Sequence, residues 1–402
     1  MSMHCLLHSV TFTTLLMAIA TAITTVRATV TASSSPIKGS YWFDQETFPV
    51  SAINTTYLRH IFYAFLLPSN TTYTLEITAS NATSLLKFTT TLRSKYPPVK
   101  TLVSIGGAAS DAALFARIAG NADARAAFIG SSIVVARRFG FDGLDLDWEF
   151  PRTAVEMSDL AVLLRQWRIA ILAESELTGR PPLLLTAAVY FASDFILAAG
   201  PAPSYPVIAM NKTLDFINVM SYDLHGAWNN DTGAPAALFD PKGNVNVVYG
   251  LRSWVRAGIC PKKVVMGLPL YGKKWTLLDP NVTEIGAAAI GIKPESGGDV
   301  PYFQIEVFNK ESDATVVYDP DTVSAYSYAG TSWVGYDDPM TVTVKIGFAQ
   351  ALGLRGYFFW VAGFDRDWKI IEQVALPERP PVEVILFCGN REQRTNGVYN
   401  HN

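Results

Sequence analysis

The sequence has few of the residues that typify metal, disulfide or nucleic-acid proteins. Its 402 residues include 3 cysteines and 5 histidines, with neither a CxxC nor an HExxH motif. We therefore expect no metal site, no cofactor and no disulfide framework. Charged residues make up only 17% and the net charge is −3, which disfavours nucleic acid as a partner. Hydrophobic residues reach 49%, enough for a folded core, so a disordered or fibrous chain is excluded.

The one long uncharged run lies near the amino terminus, from Val10 to Val26. Small residues that suit cleavage follow at positions 20–22 and 26–28, so we predict a signal peptide over residues 1–28. A membrane anchor is the competing interpretation, although the run is short and rich in threonine. We expect the mature protein to be free of the membrane, and to be either secreted or sent to the vacuole.

Two further features fit the secretory pathway. Sequons for N-glycosylation occur at Asn54, Asn70, Asn81, Asn211, Asn230 and Asn281. Because Cys5 is removed together with the predicted signal peptide, two cysteines remain. Cys260 and Cys388 could pair in an oxidising compartment.

Short apolar runs alternate with helical patterns along the chain, which is typical of repeated β-α units. Eight runs predict strands, at Ser40–Phe43, His60–Leu66, Lys100–Ile105, Gly143–Phe150, Leu183–Val189, Phe216–Tyr222, Val264–Leu268 and Gly356–Trp360. Helices are predicted at Ala112–Ala119, Ala122–Phe139 and Glu156–Leu177, the last ended by Gly179. Eight such units predict an α/β fold, a TIM (β/α)8 barrel.

The predicted barrel spans residues 36–377 and is interrupted once. Between strands seven and eight, residues 273–340 replace the expected helix with turns and short alternating runs, so we predict an inserted α+β subdomain. In a barrel it would project from the catalytic face. Residues 378–402 form a tail with one short apolar run and a polar end, to which the sequence assigns no function.

The segment FDGLDLDWEFP, residues 141–151, places three acids two residues apart in an otherwise apolar strand. Asp145, Asp147 and Glu149 therefore share one face, and their burial requires compensation or a use. Leu144, Leu146, Trp148 and Phe150 on the other face indicate that both faces are covered. Glu149 is nearest the catalytic rim and is the predicted proton donor, whereas Asp142 is out of register and predicted to be structural.

The pattern D-x-x-D-x-D-x-E in this segment resembles the signature of family-18 glycoside hydrolases, the chitinase family. Three other family elements are present: S-x-G-G from Ser104 to Gly107, M-x-Y-D from Met220 to Asp223, and Trp360 on strand eight. The segments SYWF, AFLLP, LLLTAAV, GLPLYG and WVGYDDP look closest to plant class V chitinases. The chain departs from that pattern at LHGAW, after Asp223, and at VAGFDRDW, after Trp360.

The resemblance implies hydrolysis of β-1,4-linked N-acetylglucosamine by a retaining mechanism in which the substrate acetamide is the nucleophile. The implied catalytic residues are Glu149 as acid, Asp147 as acetamide partner, Asp145 as its proton-sharing neighbour, and Tyr222 at the acetamide carbonyl. Trp360 would form the apolar floor of the sugar site. Further substrate-binding candidates are Met220, Asp223, Tyr41, Phe65 and Trp228. The expected partners are chitin or its oligosaccharides, and we expect a monomer.

Other functions stay open on the sequence. A catalytically silent carbohydrate-binding or inhibitor protein can use the same barrel, although here the acids are complete. An endo-β-N-acetylglucosaminidase or a lipochitooligosaccharide hydrolase would use the same acids with different subsites. A two-carboxylate mechanism with Asp223 as nucleophile lacks support from the motif.

Overall fold

Eight parallel strands close into a barrel in the computed structural model, which describes residues 35–196 and 203–375. Their bounds are β1 (Ile37–Trp42), β2 (His60–Leu66), β3 (Lys100–Gly106), β4 (Gly143–Asp147), β5 (Leu184–Val189), β6 (Phe216–Val219), β7 (Val264–Pro269) and β14 (Gly356–Trp360). Each strand pairs with the next, and β14 closes the ring between β7 and β1. The predicted TIM barrel is thus confirmed.

Three barrel strands end earlier than the sequence predicts. β1 ends at Trp42, one residue before the predicted Phe43. β4 ends at Asp147 and β6 at Val219, whereas the sequence predicted Phe150 and Tyr222. The apolar character continues past both ends because the following residues line a cavity, namely Phe150 after β4 and Met220 and Tyr222 after β6. Glu149 and Tyr222 therefore lie in loops at the carboxyl edge of the barrel and not in strands.

Helices follow the strands around the barrel. Their bounds are α1 (Ala79–Arg93), α2 (Ala112–Gly120), α3 (Ala122–Phe139), α4 (Ala154–Thr178), α5 (Val207–Thr213), α6 (Val247–Ala257), α7 (Tyr302–Glu311), α8 (Pro339–Ala351) and α9 (Lys369–Ala375). Short 3₁₀ turns occur at Val50–Ala52, Pro261–Lys263, Pro294–Ser296 and Ala362–Phe364.

Local sequence sets the ends of these helices, as α4 illustrates. Thr153 and Glu156 form a capping box at its start, which satisfies backbone N–H groups of the first turn. Gly179 ends the helix with φ 68, a left-handed conformation that glycine adopts without steric cost. The predicted stop at Gly179 is confirmed.

A second, antiparallel sheet lies between β7 and β14 in the chain. Its strands are β8 (Tyr271–Leu277), β9 (Ala289–Gly291), β10 (Asp299–Pro301), β11 (Thr315–Asp319), β12 (Ser324–Ala329) and β13 (Ser332–Tyr336). They are ordered β10-β8-β13-β12-β11, with β9 on β8, and α7 connects β10 to β11. The sheet has its own apolar cluster, in which the rings of Trp275 and Trp333 lie 5.4 Å apart. The predicted α+β insertion is therefore present in the fold.

Several predictions fall on residues outside the described ranges. These are the signal peptide over 1–28, the tail over 378–402, and the pairing of Cys260 with Cys388. In residues 35–196 and 203–375, no helix combines the length and the apolar character needed to cross a membrane.

Candidate active site

The row of acids begins in the interior of the barrel. Asp145 and Asp147 on β4 are 0% and 3% exposed, and Leu144 and Leu146, which alternate with them, are buried on the opposite face. Trp148 continues that outer face, with its ring 6.1 Å from the ring of Phe115 in a stacked arrangement. Both faces of β4 are covered, so the acids are buried rather than solvated.

Asp145 is surrounded by hydrogen-bond donors. Its Oδ2 accepts from Tyr41 Oη and from Ser104 Oγ, each at 2.8 Å. Its Oδ1 accepts from Thr186 Oγ1 at 2.5 Å and from Asn218 Nδ2 at 3.4 Å. Burial raises the pKa of Asp145, and these four donors oppose that rise because they stabilise the carboxylate.

Asp147, unlike Asp145, is not surrounded by hydrogen-bond donors. Its Oδ1 is buried without a hydrogen-bond partner among the described residues. Burial, followed by the charges of Glu149 and Asp145, raises the pKa of Asp147 well above its usual value. The pKa of Asp147 is therefore raised further than that of Asp145, and its unpartnered oxygen is available to a ligand.

Glu149 lies just beyond β4 and lines the cavity. Burial, and to a smaller extent the charge of Asp223, raises the pKa of Glu149 to about 7. A carboxyl group with that pKa is protonated at mildly acidic pH, as a general acid must be. The peptide bond between Glu149 and Phe150 is cis.

The S-x-G-G element explains how β3 approaches these acids. Gly106 has φ 123, and a Cβ there would lie 2.0 Å from the backbone oxygen of Asp147. The N–H of Gly107 donates to that same oxygen at 2.8 Å, and a Cβ on Gly107 would lie 2.6 Å from the ring of Phe65. Only glycine permits this close contact between β3, the end of β4 and Phe65.

The acids open into a cavity of about 590 Å³ at the carboxyl ends of the strands. Of the predicted site residues, the cavity is lined by Asp147, Glu149, Tyr222, Trp360, Met220, Asp223, Tyr41 and Phe65. Asp145 lies beneath the cavity and Trp228 lies outside its lining. Trp228 is 60% exposed, with the Lys273 ammonium 5.9 Å from its ring centroid.

Tyr222 is buried in the cavity wall. Burial, followed by the charge of Asp147, raises its pKa well above the usual value, so its hydroxyl stays protonated and able to donate. Gly267 on β7 makes room for the ring, because a Cβ there would lie 2.8 Å from Tyr222 Cε1. No motif in the sequence indicates this role for Gly267.

Aromatic rings form one side of the cavity. Trp360 stacks on Phe65 with ring centroids 5.7 Å apart and an interplanar angle of 20°. Tyr41 lies 5.4 Å from Trp360 and also donates to Asp145, so one residue joins the aromatic wall to the acids.

Asp223 is held by partners from the second sheet. Its Oδ1 accepts from Tyr271 Oη at 2.7 Å and lies 2.8 Å from Lys273 Nζ, which also lies 2.8 Å from Asp299. Burial alone would lower the pKa of Lys273, but the two carboxylates raise it, so the ammonium is charged. Asp223 is thus a paired carboxylate at the cavity edge.

Asp142 is structural, as predicted. Its carboxylate pairs with Lys100 at 2.8 Å and accepts from the Thr101 N–H at 2.9 Å, at the opposite end of the strands from the cavity.

Sequence reasoning missed several lining residues, among them Phe43, Phe150, Tyr271, Asp299 and Phe364. Tyr271 lies two residues beyond the end of β7, and its position near a strand end could have identified it. Asp299 could not be found this way, because it reaches the cavity through the pairing of β10 with β8.

The family model for glycosyl hydrolases family 18 matches residues 38–365 of the chain. A curated relative, Nod factor hydrolase protein 1 of Medicago truncatula, is 57% identical over 343 residues, 84% of this chain and 89% of the relative. Class V chitinase CHIT5b of the same plant is 56% identical over 344 residues, 85% of this chain and 90% of the relative.

A solved structure, a mutant class V chitinase of Nicotiana tobaccum in complex with NAG4, superposes with a TM-score of 0.81 at 37% identity. The alignment covers 85% of this chain and 98% of the tobacco chain. From the barrel, the acids and these matches, we conclude that the chain belongs to glycosyl hydrolase family 18 and is a glycoside hydrolase of the plant class V chitinase type.

Proposed function

We propose that the protein hydrolyses β-1,4-linked N-acetylglucosamine oligomers or polymers, with retention and with the substrate acetamide as nucleophile. The proposal depends on two neighbouring groups. One is a protonatable acid at the cavity surface, and the other is a buried carboxyl oxygen that accepts no hydrogen bond. Glu149 is that acid, and Asp147 Oδ1 is that oxygen, which has no partner among the described residues. Support for chitin oligomers comes from the tobacco class V chitinase, which was solved with NAG4.

In the proposed reaction, Glu149 gives its proton to the glycosidic oxygen. The carbonyl oxygen of the acetamide on the −1 sugar attacks the anomeric carbon, and the leaving sugar departs with that proton. Asp147 accepts the acetamide N–H and stabilises the charge that develops on the resulting oxazolinium ion. Water then opens the oxazolinium ion at the anomeric carbon while Glu149 takes the proton back.

Two other side chains position the reacting group. The Tyr222 hydroxyl donates to the acetamide carbonyl and fixes its angle of attack. The indole of Trp360 provides an apolar floor against the pyranose C–H face, backed by the stacked ring of Phe65.

A conventional two-carboxylate mechanism would need a free carboxylate opposite Glu149. Asp223 is the candidate, but its charge is already shared with Lys273 and its Oδ1 accepts from Tyr271. The substrate-assisted route is therefore the better supported of the two. Oxazoline-type analogues should inhibit it, whereas a carboxylate nucleophile would be insensitive to them.

The test is hydrolysis of a chitin hexasaccharide by the wild type and by Glu149→Gln. Loss of the acid is expected to reduce kcat by about 10²–10⁴-fold. The first product from the wild type should be the β-anomer. A wild type that binds the hexasaccharide but cleaves no faster than Glu149→Gln would instead be a carbohydrate-binding protein, and an α-anomeric first product would exclude retention.

Lipochitooligosaccharides are a second substrate class that a specific observation favours. A 57% identical relative is named as a Nod factor hydrolase, and much of the cavity wall is apolar. The apolar lining residues are Phe43, Phe65, Ala108, Ala109, Phe150, Ala188, Phe191, Met220, Trp360 and Phe364. Comparing kcat/KM for one oligosaccharide with and without a long N-acyl chain tests this, because an acyl site should raise kcat/KM for the acylated form.

Secretion and N-glycosylation complete the proposal. Asn70, Asn230 and Asn281 are exposed and can carry a glycan on the folded protein. Asn81 and Asn211 are half-buried, and their Oδ1 atoms accept from Thr78 N–H at 2.8 Å and Cys260 N–H at 3.0 Å. Glycans at the three exposed positions would support passage through the secretory pathway.

A further inference from the structure

Two phenylalanine rings close one end of the cavity. Phe43 directly follows β1, and Phe364 lies on the 3₁₀ turn that follows β14. Both line the cavity and are half-buried. Their ring centroids are 6.1 Å apart with the planes at 83°, and the ring of Tyr271 lies 6.5 Å from that of Phe364 at 78°. Phe43, Phe364 and Tyr271 therefore form an apolar corner rather than a flat shelf, and we name it the aromatic corner.

The turn that carries Phe364 is held by its own hydrogen bonds. The Phe364 N–H donates to the Val361 carbonyl at 2.9 Å. The next residue, Asp365, is 1% exposed and accepts from the N–H groups of Ile370 and Ile371 in α9, at 3.0 and 2.9 Å. Because the ring lies on a fixed backbone, a ligand can contact it with little loss of conformational entropy.

Phe364 belongs to a segment in which the chain departs from the plant class V pattern. That segment is VAGFDRDW, directly after Trp360. The acids of the D-x-x-D-x-D-x-E pattern are complete, so the chemistry of bond cleavage does not account for the departure. A changed segment that places a ring in the cavity points instead to a change in the group that is bound.

The shape of the aromatic corner favours an aliphatic group over a sugar ring. A pyranose stacks its C–H face on a flat ring, as proposed for Trp360, whereas perpendicular rings suit a thin and flexible alkyl chain. A sugar also needs partners for its hydroxyl groups when it leaves water. The hydroxyl of the corner, Tyr271 Oη, already donates to Asp223 at 2.7 Å.

The strand order places the aromatic corner on the glycone side of the bond that is cleaved. In the closed ring, β14 lies four strands from β4 in either direction, so Trp360 and Glu149 lie on opposite sides of the barrel. In the proposed reaction the −1 sugar lies on Trp360 with its scissile bond at Glu149. The rest of the glycone then continues toward the loops after β1 and β14, which carry Phe43 and Phe364.

The −1 sugar is not the one that carries an alkyl chain to the corner. In the proposed reaction its acetamide lies between Asp147 and Tyr222, which are 3% and 9% exposed. A long chain on that nitrogen would have to enter this buried part of the site. The chain must therefore belong to a sugar further from Glu149, on the side where the corner lies.

We propose that Phe43 and Phe364 bind the N-acyl chain of a lipochitooligosaccharide whose acylated sugar lies on the glycone side of the cleaved bond. The inference rests on the proposed function, because it adds a second ligand group to the same cavity and names the side chains that contact it. Trp360 holds a sugar ring, and the aromatic corner beyond it holds the alkyl chain.

The test compares a chitin tetrasaccharide with the same tetrasaccharide bearing a dodecanoyl group in place of the acetyl group on its non-reducing sugar. The acylated form is used below its critical micelle concentration. The quantity measured is the ratio of kcat/KM for the acylated substrate to kcat/KM for the plain one. In the wild type this ratio should be about 10 or more, because the corner removes several methylene groups from water.

Phe364→Ala should lower this ratio. Each buried methylene group is worth about fourfold in affinity, and the Phe364 ring should cover about two of them, so the expected loss is about 15-fold. Phe364→Leu keeps most of the apolar surface and should lower the ratio by less than about threefold. Equal losses for both substrates in Phe364→Ala would mean that the ring binds sugar and would overturn the proposal, as would a wild-type ratio of one or less.

Phe239→Ala is the matched control. Phe239 lies outside the cavity lining and forms the same kind of pair with Phe348, with ring centroids 6.1 Å apart and planes at 81°. Its ring is also partly exposed, at 43%. Its removal should leave the ratio at the wild-type value, so a ratio that fell equally in Phe239→Ala and Phe364→Ala would contradict a local site.

A second variant and a binding measurement complete the design. If Phe364→Ala does not fold, Phe43→Ala removes the other ring and should lower the ratio in the same direction. Calorimetry with Glu149→Gln gives the Kd of both substrates without cleavage, and the measurement is repeated with the phenylalanine replaced. If the wild type cleaves neither substrate, the proposed function fails. Tighter binding of the acylated form that is lost with the ring would still support the corner, and its absence or persistence would overturn it.

Discussion

Replacing Asp223 by Asn should move the alkaline limb of the pH–rate profile to lower pH. The proposed reaction needs Glu149 protonated, so kcat/KM should fall tenfold per pH unit above the pKa of that carboxyl, about 7. Asp223 contributes to this pKa because its negative charge disfavours a second one on Glu149.

The size of the effect follows from the two causes. Burial is the larger cause and Asp223 the smaller, so Asp223 accounts for less than half of the rise from 4.5 to about 7. The limb should then move from about pH 7 to no lower than about pH 6. At pH 7.5 the protonated fraction of Glu149 would fall from about a quarter to about 3%, roughly an eightfold loss in kcat/KM. At pH 5 the same loss should vanish.

The assay is initial-rate hydrolysis of a chitin hexasaccharide between about pH 4 and pH 9, chosen to span about two units either side of the limb. Asp142→Asn is the matched control, because it makes the same substitution at an acid paired with Lys100, away from the cavity. An alkaline limb that stays in place or moves upward in Asp223→Asn would refute the electrostatic reasoning, even if overall activity fell.

Further predictions concern stability, substrate binding and modification. Lys345→Met should lower the free energy of unfolding by about 3–5 kcal/mol in urea, because it leaves the carboxylate of Asp337 buried without its ion-pair partner. Both side chains of the pair are 1% exposed. Adding Asp337→Asn should restore most of the lost stability. Trp360→Ala should weaken hexasaccharide binding by about 1–2 kcal/mol in calorimetry, since the apolar floor is lost, and an unchanged Kd would argue against stacking. Mass spectrometry of protein secreted from a eukaryotic host should find glycans at the three exposed sequons, Asn70, Asn230 and Asn281.

The barrel was predictable because each strand is a separate apolar run with its own turn signals, and such signals are local. His60–Leu66 and Gly356–Trp360 are found with the bounds predicted. The ends of β4 and β6 were not predictable from the sequence, because the apolar runs continue beyond them into residues that line the cavity. The acids were identifiable from spacing alone, since three carboxyl groups on one face of a buried strand require an explanation.

The surroundings of the acids were less accessible to sequence reasoning. Thr186 and Asn218 reach Asp145 through strand register, which no motif in the sequence records. Asp299 reaches the cavity only because β10 pairs with β8. Trp228 was predicted beside the subsites, yet it lies outside the cavity lining, and its contact with substrate stays a prediction.

One edge of the cavity and the acids belong to different sheets, and this separation has an evolutionary consequence. Tyr271, Lys273 and Asp299 belong to the inserted strands β8 and β10, whereas Asp145, Asp147 and Glu149 belong to β4 and the loop that follows it. Variation in the insertion would therefore alter this edge of the cavity while leaving the acids on β4 and in its loop in place. Duplicated genes could therefore diverge in substrate through this sheet, and an engineer could exchange it between relatives as one cassette.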